Sequence, residues 1–403
     1  MEETPVLLLT GYLGSGKTTL VNRILSNRKG IRFAVIVNDL GEVNIDADLI
    51  EKDGVVGKRD DSLVALQNGC ICCTLKMDLV EQLRDIISMR KFDYIVIEAS
   101  GICEPEPIAR TICSIPYMGP EYIEDGIPRL DCIVTVVDVL RMRDEFGCAK
   151  DLLRGNLDED DIENLVIQQV EFCNIVVLNK ASEVSPDELG KVREIIRALQ
   201  PKAKIVECDW AGIELEDILD TRLFNYDSVS ASAAWISAVE SPVEDDDDDD
   251  DDDDHDHDHD HGHEGHHHHH HHHEGEGEAE EYGIGTYVYY QRKPFDINKF
   301  DNFVAKHWPV GVIRAKGLCW FSVEPDNCYL FEQAGTQISL RNAGKWYATM
   351  PEDELERQLE TDATLRRDWD PEYGDRMQKL VFIGQKLDRA AIRAALDFCV
   401  TED

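Results

Sequence analysis

Besides a candidate strand at 204–207, short apolar runs rich in β-branched residues recur through the first half of the chain, at 6–9, 33–37, 94–97, 132–137 and 175–178. Each is too short for a helix and lacks the strict alternation of a half-solvated strand, so each predicts a strand covered on both faces. Residues 78–89 and 161–172 instead place apolar side chains at helical spacing, and another helix is expected to open near Thr18. Such alternation predicts an α/β domain, a mostly parallel sheet with helices on both faces, over residues 1–222. Ligands then belong at the carboxyl ends of the strands.

The pattern breaks from residue 223 to 281. This stretch is Ser- and Ala-rich at first, then a run of Asp, then alternating Asp and His, then eight consecutive His. It cannot bury apolar area, so a disordered Asp/His-rich linker is expected. Order resumes in 282–403. Residues 284–290 alternate like a strand, and 297–307 reads as a helix. Further strands are expected at 312–315, 318–323, 329–333, 337–340 and 379–383, with a closing helix at 389–399. This predicts a smaller α+β domain with an antiparallel sheet.

The formal charge of −41 is partly local, because residues 244–281 hold 20 acids and neither Lys nor Arg. No basic run or stripe is visible, which argues against nucleic acid as a partner. Divalent cations are the expected partners of such acidity. No apolar run is long enough to span a bilayer, so no membrane association is expected. The start, Met1-Glu2-Glu3-Thr4-Pro5, lacks the basic region of a signal peptide. Twelve cysteines without framework spacing suit a reducing compartment, and the cytoplasm is the expectation.

The first apolar run leads into Gly11-Tyr12-Leu13-Gly14-Ser15-Gly16-Lys17-Thr18, which matches GxxxxGK[ST] between a strand and a helix. Gly11, Gly14 and Gly16 let the backbone N–H groups turn inward around phosphate oxygens, with Ser15 and Thr19 in the same cradle. Lys17 is expected to reach the β- and γ-phosphates, and the Thr18 hydroxyl to bind Mg²⁺. Asp93-Tyr94-Ile95-Val96-Ile97-Glu98-Ala99-Ser100-Gly101 reads as a Walker B strand. Glu98 would hold the Mg²⁺ shell or orient the attacking water, and Gly101 would approach the γ-phosphate. The run at 175–178 leads into Asn179-Lys180, the start of the guanine-reading NKxD motif, but position four is Ser182. A carboxylate accepts from both guanine N1–H and the exocyclic amine, and one hydroxyl cannot match it. Glu183, one residue on, is the candidate to substitute by reaching back, and ATP stays open beside GTP.

Cys70, Cys72 and Cys73 follow Asn68-Gly69 and precede a helix. Thiolates near a helix N-terminus have lowered pKa values, and three soft donors at this spacing suit Zn²⁺ or Cu(I) better than Mg²⁺ or Ca²⁺. Buried structural cysteines or a redox pair are the plainer alternatives. A fourth ligand is available among Asp39, Glu42 and Asp46. Cys103, beside the Walker B glycine, and Cys113, Cys132, Cys173 and Cys319 are expected to act as small buried hydrophobes. Thirteen of the fourteen histidines lie between His255 and His273, where they form shallow, interchangeable sites for borderline divalent ions.

Several motifs together resemble the CobW-like branch of metallochaperone P-loop GTPases. They are Thr10 to Thr19, Asn38-Asp39-Leu40-Gly41-Glu42-Val43, Asn68-Gly69-Cys70-Ile71-Cys72-Cys73 and Glu98-Ala99-Ser100-Gly101. The C-terminal half adds Arg314-Ala315-Lys316-Gly317 with Trp320, and Gly374-Asp375-Arg376 before Leu380-Val381-Phe382-Ile383-Gly384. The resemblance implies GTP hydrolysis coupled to transition-metal handling, with Asp39 at the nucleotide and Cys72, Cys73 and Glu42 matching the family's metal site. It implies GTP, Mg²⁺ and Zn²⁺ as ligands, with Co²⁺ or Ni²⁺ as alternatives, and a metal-requiring client protein as partner. A homodimer is compatible with it. Departures are Ala99, Asp39 and Ser182. The implied function is a zinc metallochaperone GTPase. Cobalt or nickel insertion, a metal buffer with incidental GTPase activity, and a P-loop kinase or ATPase are the other readings.

Overall fold

The computed structural model describes residues 2–26, 30–37, 76–146, 160–226, 229, 283–335 and 337–401. The expectations for Asp39, Glu42, Cys70, Cys72, Cys73 and the Asp/His tract lie outside the described residues. Six parallel strands form the first sheet: β1 (Glu3–Thr10), β2 (Phe33–Val37), β3 (Tyr94–Glu98), β4 (Ile127–Asp138), β5 (Ile175–Asn179) and β6 (Lys204–Cys208), in the order β2-β3-β1-β4-β5-β6. Side chains alternate between two cores. Val6 and Leu8 face one core, with Leu79, Ile108, Val166 and Ile195 of the covering helices, whereas Leu7 and Leu9 face the other, with Leu20, Val21 and Ile24. This burial on both faces is why β2, β3 and β5 read as apolar runs, whereas β6, at the sheet edge, carries Lys204 and Glu207 exposed.

The helices are α1 (Lys17–Leu25), α2 (Lys76–Ser88), α3 (Pro105–Ser114), α4 (Pro120–Ile123), α5 (Val139–Phe146), α6 (Asp160–Glu171) and α7 (Pro186–Leu199). Pro186 and a capping box start α7: the Ser185 hydroxyl accepts from Glu188 N–H while the Glu188 carboxylate accepts from Ser185 N–H. The chain at 223–226, assigned to the linker on composition, packs on this domain. Phe224 N–H donates to Asp131 O, and the Tyr226 ring meets Phe172 edge-on.

The second sheet is antiparallel and built from β7 (Ile284–Gln291), β8 (Val312–Cys319), β9 (Asn327–Ala334), β10 (Gln337–Lys345) and β11 (Gln378–Gln385), in the order β10-β9-β8-β11-β7. The helices α8 (Ile297–Lys306), α9 (Glu352–Thr361), α10 (Ala363–Arg367) and α11 (Arg389–Cys399) accompany it. Leu380 and Phe382 pack with Phe295, Phe300 and Leu396 on one face. Val381 and Ile383 pack on the other face, in the same core as Val176 and Ile195 of the first domain. β8 corrects the expectation of two strands at 312–315 and 318–323: one strand runs through Lys316-Gly317 and stops at Cys319.

A buried carboxylate braces the parallel sheet. The register slips between Val6 and Leu7, which pair with Leu130 and Cys132, so Asp131 is the extra residue of a bulge. Its fully buried side chain accepts from Tyr94 Oη at 2.6 Å, Arg222 N at 2.8 Å, Thr221 N at 2.9 Å and Arg129 Nη1 at 3.0 Å. Burial alone would raise this carboxyl, but the hydrogen bonds from Tyr94, Arg222, Thr221 and Arg129 outweigh it and hold the pKa below the usual carboxylate range. A lowered folded-state pKa contributes stability that is present above the unfolded value, near about 3.9, and is lost as pH falls through the folded one. Asp131→Asn is expected to cost about 2 kcal/mol at pH 7 and to flatten the loss of stability below about pH 4, measured by urea unfolding across pH.

Candidate nucleotide site

The phosphate loop lies between β1 and α1, at the carboxyl edge of the parallel sheet. Gly16 caps α1 with φ of 110°, and a Cβ there would stand 2.3 Å from Asn179 Nδ2, so both conformation and space require glycine. The first N–H groups of α1, from Lys17, Thr18 and Thr19, have no intrahelical acceptors and supply the positive end of the helix dipole. The Lys17 ammonium is buried and donates to Gly11 O at 2.8 Å and Tyr12 O at 3.2 Å.

The end of β3 meets this loop. Thr18 Oγ1 donates to Glu98 Oε1 at 2.9 Å, joining the first turn of α1 to a carboxylate that is only 2% exposed. Hard oxygen donors brought together at the phosphate loop are the chemistry Mg²⁺ prefers, so these residues fit that ion. Gly101 follows on the loop after β3, where a Cβ would lie 2.8 Å from both Leu13 N and Leu13 Cγ. The two loops are therefore in contact. Gln169 of α6 fastens the second loop, its Nε2 donating to Gly101 O at 3.3 Å and Cys103 O at 3.1 Å.

Asn179, at the end of β5, bridges two loops: its Nδ2 donates to Ser15 O at 2.8 Å and its Oδ1 accepts from Ala211 N at 3.0 Å. Lys180 adopts a left-handed conformation, φ 63°, and its ammonium pairs with Asp138 at the end of β4. The structure thus brings together Gly11, Gly14, Ser15, Gly16, Lys17, Thr18, Thr19, Glu98, Gly101, Asn179 and Lys180 at one sheet edge. Sequence reasoning missed Gln169 and Asp138, which act only through contacts across the fold. Among the described residues no group of three or more Cys, His, Asp or Glu is placed to hold a metal. Cys132, Cys173 and Cys319 are buried, and burial pushes the first two thiols up to about 12, which suits the inert role expected of them. Cys113 is half-buried, a partial departure from that expectation.

This loop, helix and strand arrangement defines a P-loop nucleotide hydrolase. Residues 5–207 match the family described as CobW/HypB/UreG, nucleotide-binding domain, and residues 284–400 match the cobalamin synthesis protein cobW C-terminal domain. The chain belongs to this family and is a GTPase. It is 32% identical over 417 residues to the zinc-regulated GTPase metalloprotein activator 1 of Dictyostelium discoideum, covering 100% of this chain and 81% of that protein. It is 32% identical over 232 residues to the zinc chaperone CobW of Pseudomonas aeruginosa, covering 54% of this chain and 60% of that protein. The zinc chaperone YjiA of Escherichia coli is 30% identical over 229 residues, 56% of this chain and 63% of that protein. No described helix is long and apolar enough to cross a membrane.

Proposed function

We propose that this GTPase is a metallochaperone that takes up zinc at Cys70, Cys72 and Cys73 with Glu42 and hands it to a metal-requiring client protein. The observation that carries the reading is the position of β2. Its last residue, Val37, pairs in register with Glu98, so β2 ends beside the carboxylate that holds Thr18, and Glu42 follows it in sequence. Three thiolates and a carboxylate suit Zn²⁺, and the names of the relatives add weight to zinc over cobalt or nickel.

In this reading Lys17 and the α1 N-terminus hold the β- and γ-phosphates, and Asn179 and Lys180 position the base side. Thr18 and Glu98 would hold Mg²⁺, which when bound neutralises charge on the transferring phosphoryl group. Gly101 N–H reports the γ-phosphate to the loop that Gln169 grips. Loss of that phosphate then loosens the segment leading to the zinc ligands, as in other switch loops. The Asp/His tract gathers ions in shallow sites upstream of the thiolates. Residues 1–226 are taken as the nucleotide unit, the acidic and His-rich stretch 244–281 as the gathering segment and 282–403 as the client-facing unit.

The test uses the full chain with Cys72 and Cys73 replaced by Ala. Zinc affinity, measured by competition with a chelator, is expected to fall by about 100-fold or more, and GTP turnover to lose its response to zinc. Mg²⁺-GTP binding is expected to survive. Unchanged zinc affinity and an unchanged zinc response would rule the coupling out.

A further inference from the structure

The guanine-reading motif lacks its acid, and the structure places another beside the gap. β5 and β6 are parallel neighbours in which Asn179 pairs with Cys208, so the segments just beyond them, Lys180 to Ser182 and Asp209 to Gly212, emerge side by side. Asp209 Oδ1 accepts the backbone N–H of Ser182 at 3.0 Å, which brings its carboxylate to the residue where the motif calls for one. Each carboxylate oxygen offers two acceptor directions, so this bond leaves both oxygens able to accept more.

The loop carrying Asp209 is held in a costly shape. Trp210 and Ala211 both have φ of 52°, a left-handed conformation that costs an L-residue roughly 1–2 kcal/mol each. The turn is closed by Gly212 N–H donating to Asp209 O at 2.9 Å and anchored by Ala211 N–H on Asn179 Oδ1 at 3.0 Å. Ala211 is fully buried as a result, while Trp210, beside the carboxylate, is 83% exposed. An exposed indole next to an accessible carboxylate suits a flat base that carries hydrogen-bond donors on its edge. Asn179 ties this loop to Ser15 of the phosphate loop, so base and phosphate contacts share one brace.

We propose that Asp209 is the residue that selects guanine, its carboxylate accepting from N1–H and the exocyclic amine in place of the acid missing at Ser182, with Trp210 covering the base. Adenine presents an acceptor at N1, which faces the carboxylate without a proton and is rejected. Glu183, the nearest acid in sequence, is exposed and sits in a tight turn in which its N–H donates to Lys180 O at 3.1 Å. The inference rests on the nucleotide site described above and specifies how that site reads its base.

Asp209→Asn in the full chain tests it, with GTP, XTP and ATP compared by competition against a fluorescent nucleotide and by kcat/KM. An Asn side chain keeps an oxygen for Ser182 N–H but presents an amide donor that matches the 2-oxo group of xanthine. The ratio of XTP to GTP affinity is expected to rise by about 100-fold or more, whereas Glu183→Gln leaves it unchanged. If Asp209 serves only to cap the turn, GTP and XTP weaken together and the ratio stays within about threefold, which overturns the proposal. A shift produced by Glu183→Gln instead also overturns it. Failure of the parent chain to bind any of the three nucleotides would sink the site itself rather than the choice of Asp209.

Discussion

Lys17→Ala is expected to lower kcat/KM for GTP by about three orders of magnitude while leaving the chain folded. The ammonium is enclosed by the phosphate loop, donating to Gly11 O and Tyr12 O, at the N-terminus of α1 where positive potential already converges. Phosphoryl transfer asks little covalent chemistry of a protein, so removing the fixed positive charge proposed to hold the γ-phosphate would act directly on the barrier. Stability should change little by comparison. Two loop carbonyls lose a donor, at a cost of about 1–2 kcal/mol, and no core side chain is removed. Steady-state hydrolysis with circular dichroism separates the outcomes. A loss smaller than about tenfold in a folded variant would place catalysis elsewhere.

The parallel half of the fold was readable because strands covered on both faces must be apolar throughout, as 33–37 and 175–178 are. The C-terminal sheet was harder, and β8 shows why. Lys316 and Gly317 look like a break between two runs, yet Lys316 pairs with Val381 and Gly317 with Leu380 inside one ladder. A Cβ at Gly317 would lie 2.0 Å from Lys379 O, so the glycine permits a close approach of strands rather than a turn. The strand stops at Cys319 because Trp320 N–H is taken by the Gln378 side chain at 3.1 Å. For α7 the signal is present in Ser185, Pro186 and Glu188, a capping box with Pro at the first helical position.

For the site, what is contiguous was legible and what is assembled was not. The phosphate loop and the end of β3 each carry their chemistry within a few residues, and the structure joins them through Thr18 and Glu98. Asp209 is invisible to a motif search because it reaches Ser182 only through the pairing of β5 with β6, 27 residues apart in the chain. Gln169 is likewise an ordinary helical glutamine until α6 lies across the loop after β3.

Arg314→Ala is expected to destabilise the chain by about 3–5 kcal/mol, because it leaves the carboxylate of Glu171 buried without its partner. Arg314 Nε and Nη2 donate to Glu171 Oε1 and Oε2 at 2.9 and 3.1 Å, and the two residues are 2% and 7% exposed. The pair joins β8 of the C-terminal sheet to α6 of the nucleotide domain. Two residues earlier on the same helix, Gln169 grips the carbonyls of Gly101 and Cys103, so α6 touches both the loop after β3 and the second domain. Arg314 also donates to Gln333 O at 3.3 Å, so truncation removes support within its own sheet. Replacing both members, Glu171→Leu with Arg314→Met, removes the stranded charge and should recover more than half of the loss, since two dehydrated ions are exchanged for apolar contact. Urea unfolding followed by tryptophan fluorescence reads this, because Trp308, Trp320 and Trp346 all pack in the C-terminal domain. Equal stability of the single variant and the parent would mean that the apolar contact of Val381 and Ile383 with the first domain suffices to dock the two without the ion pair.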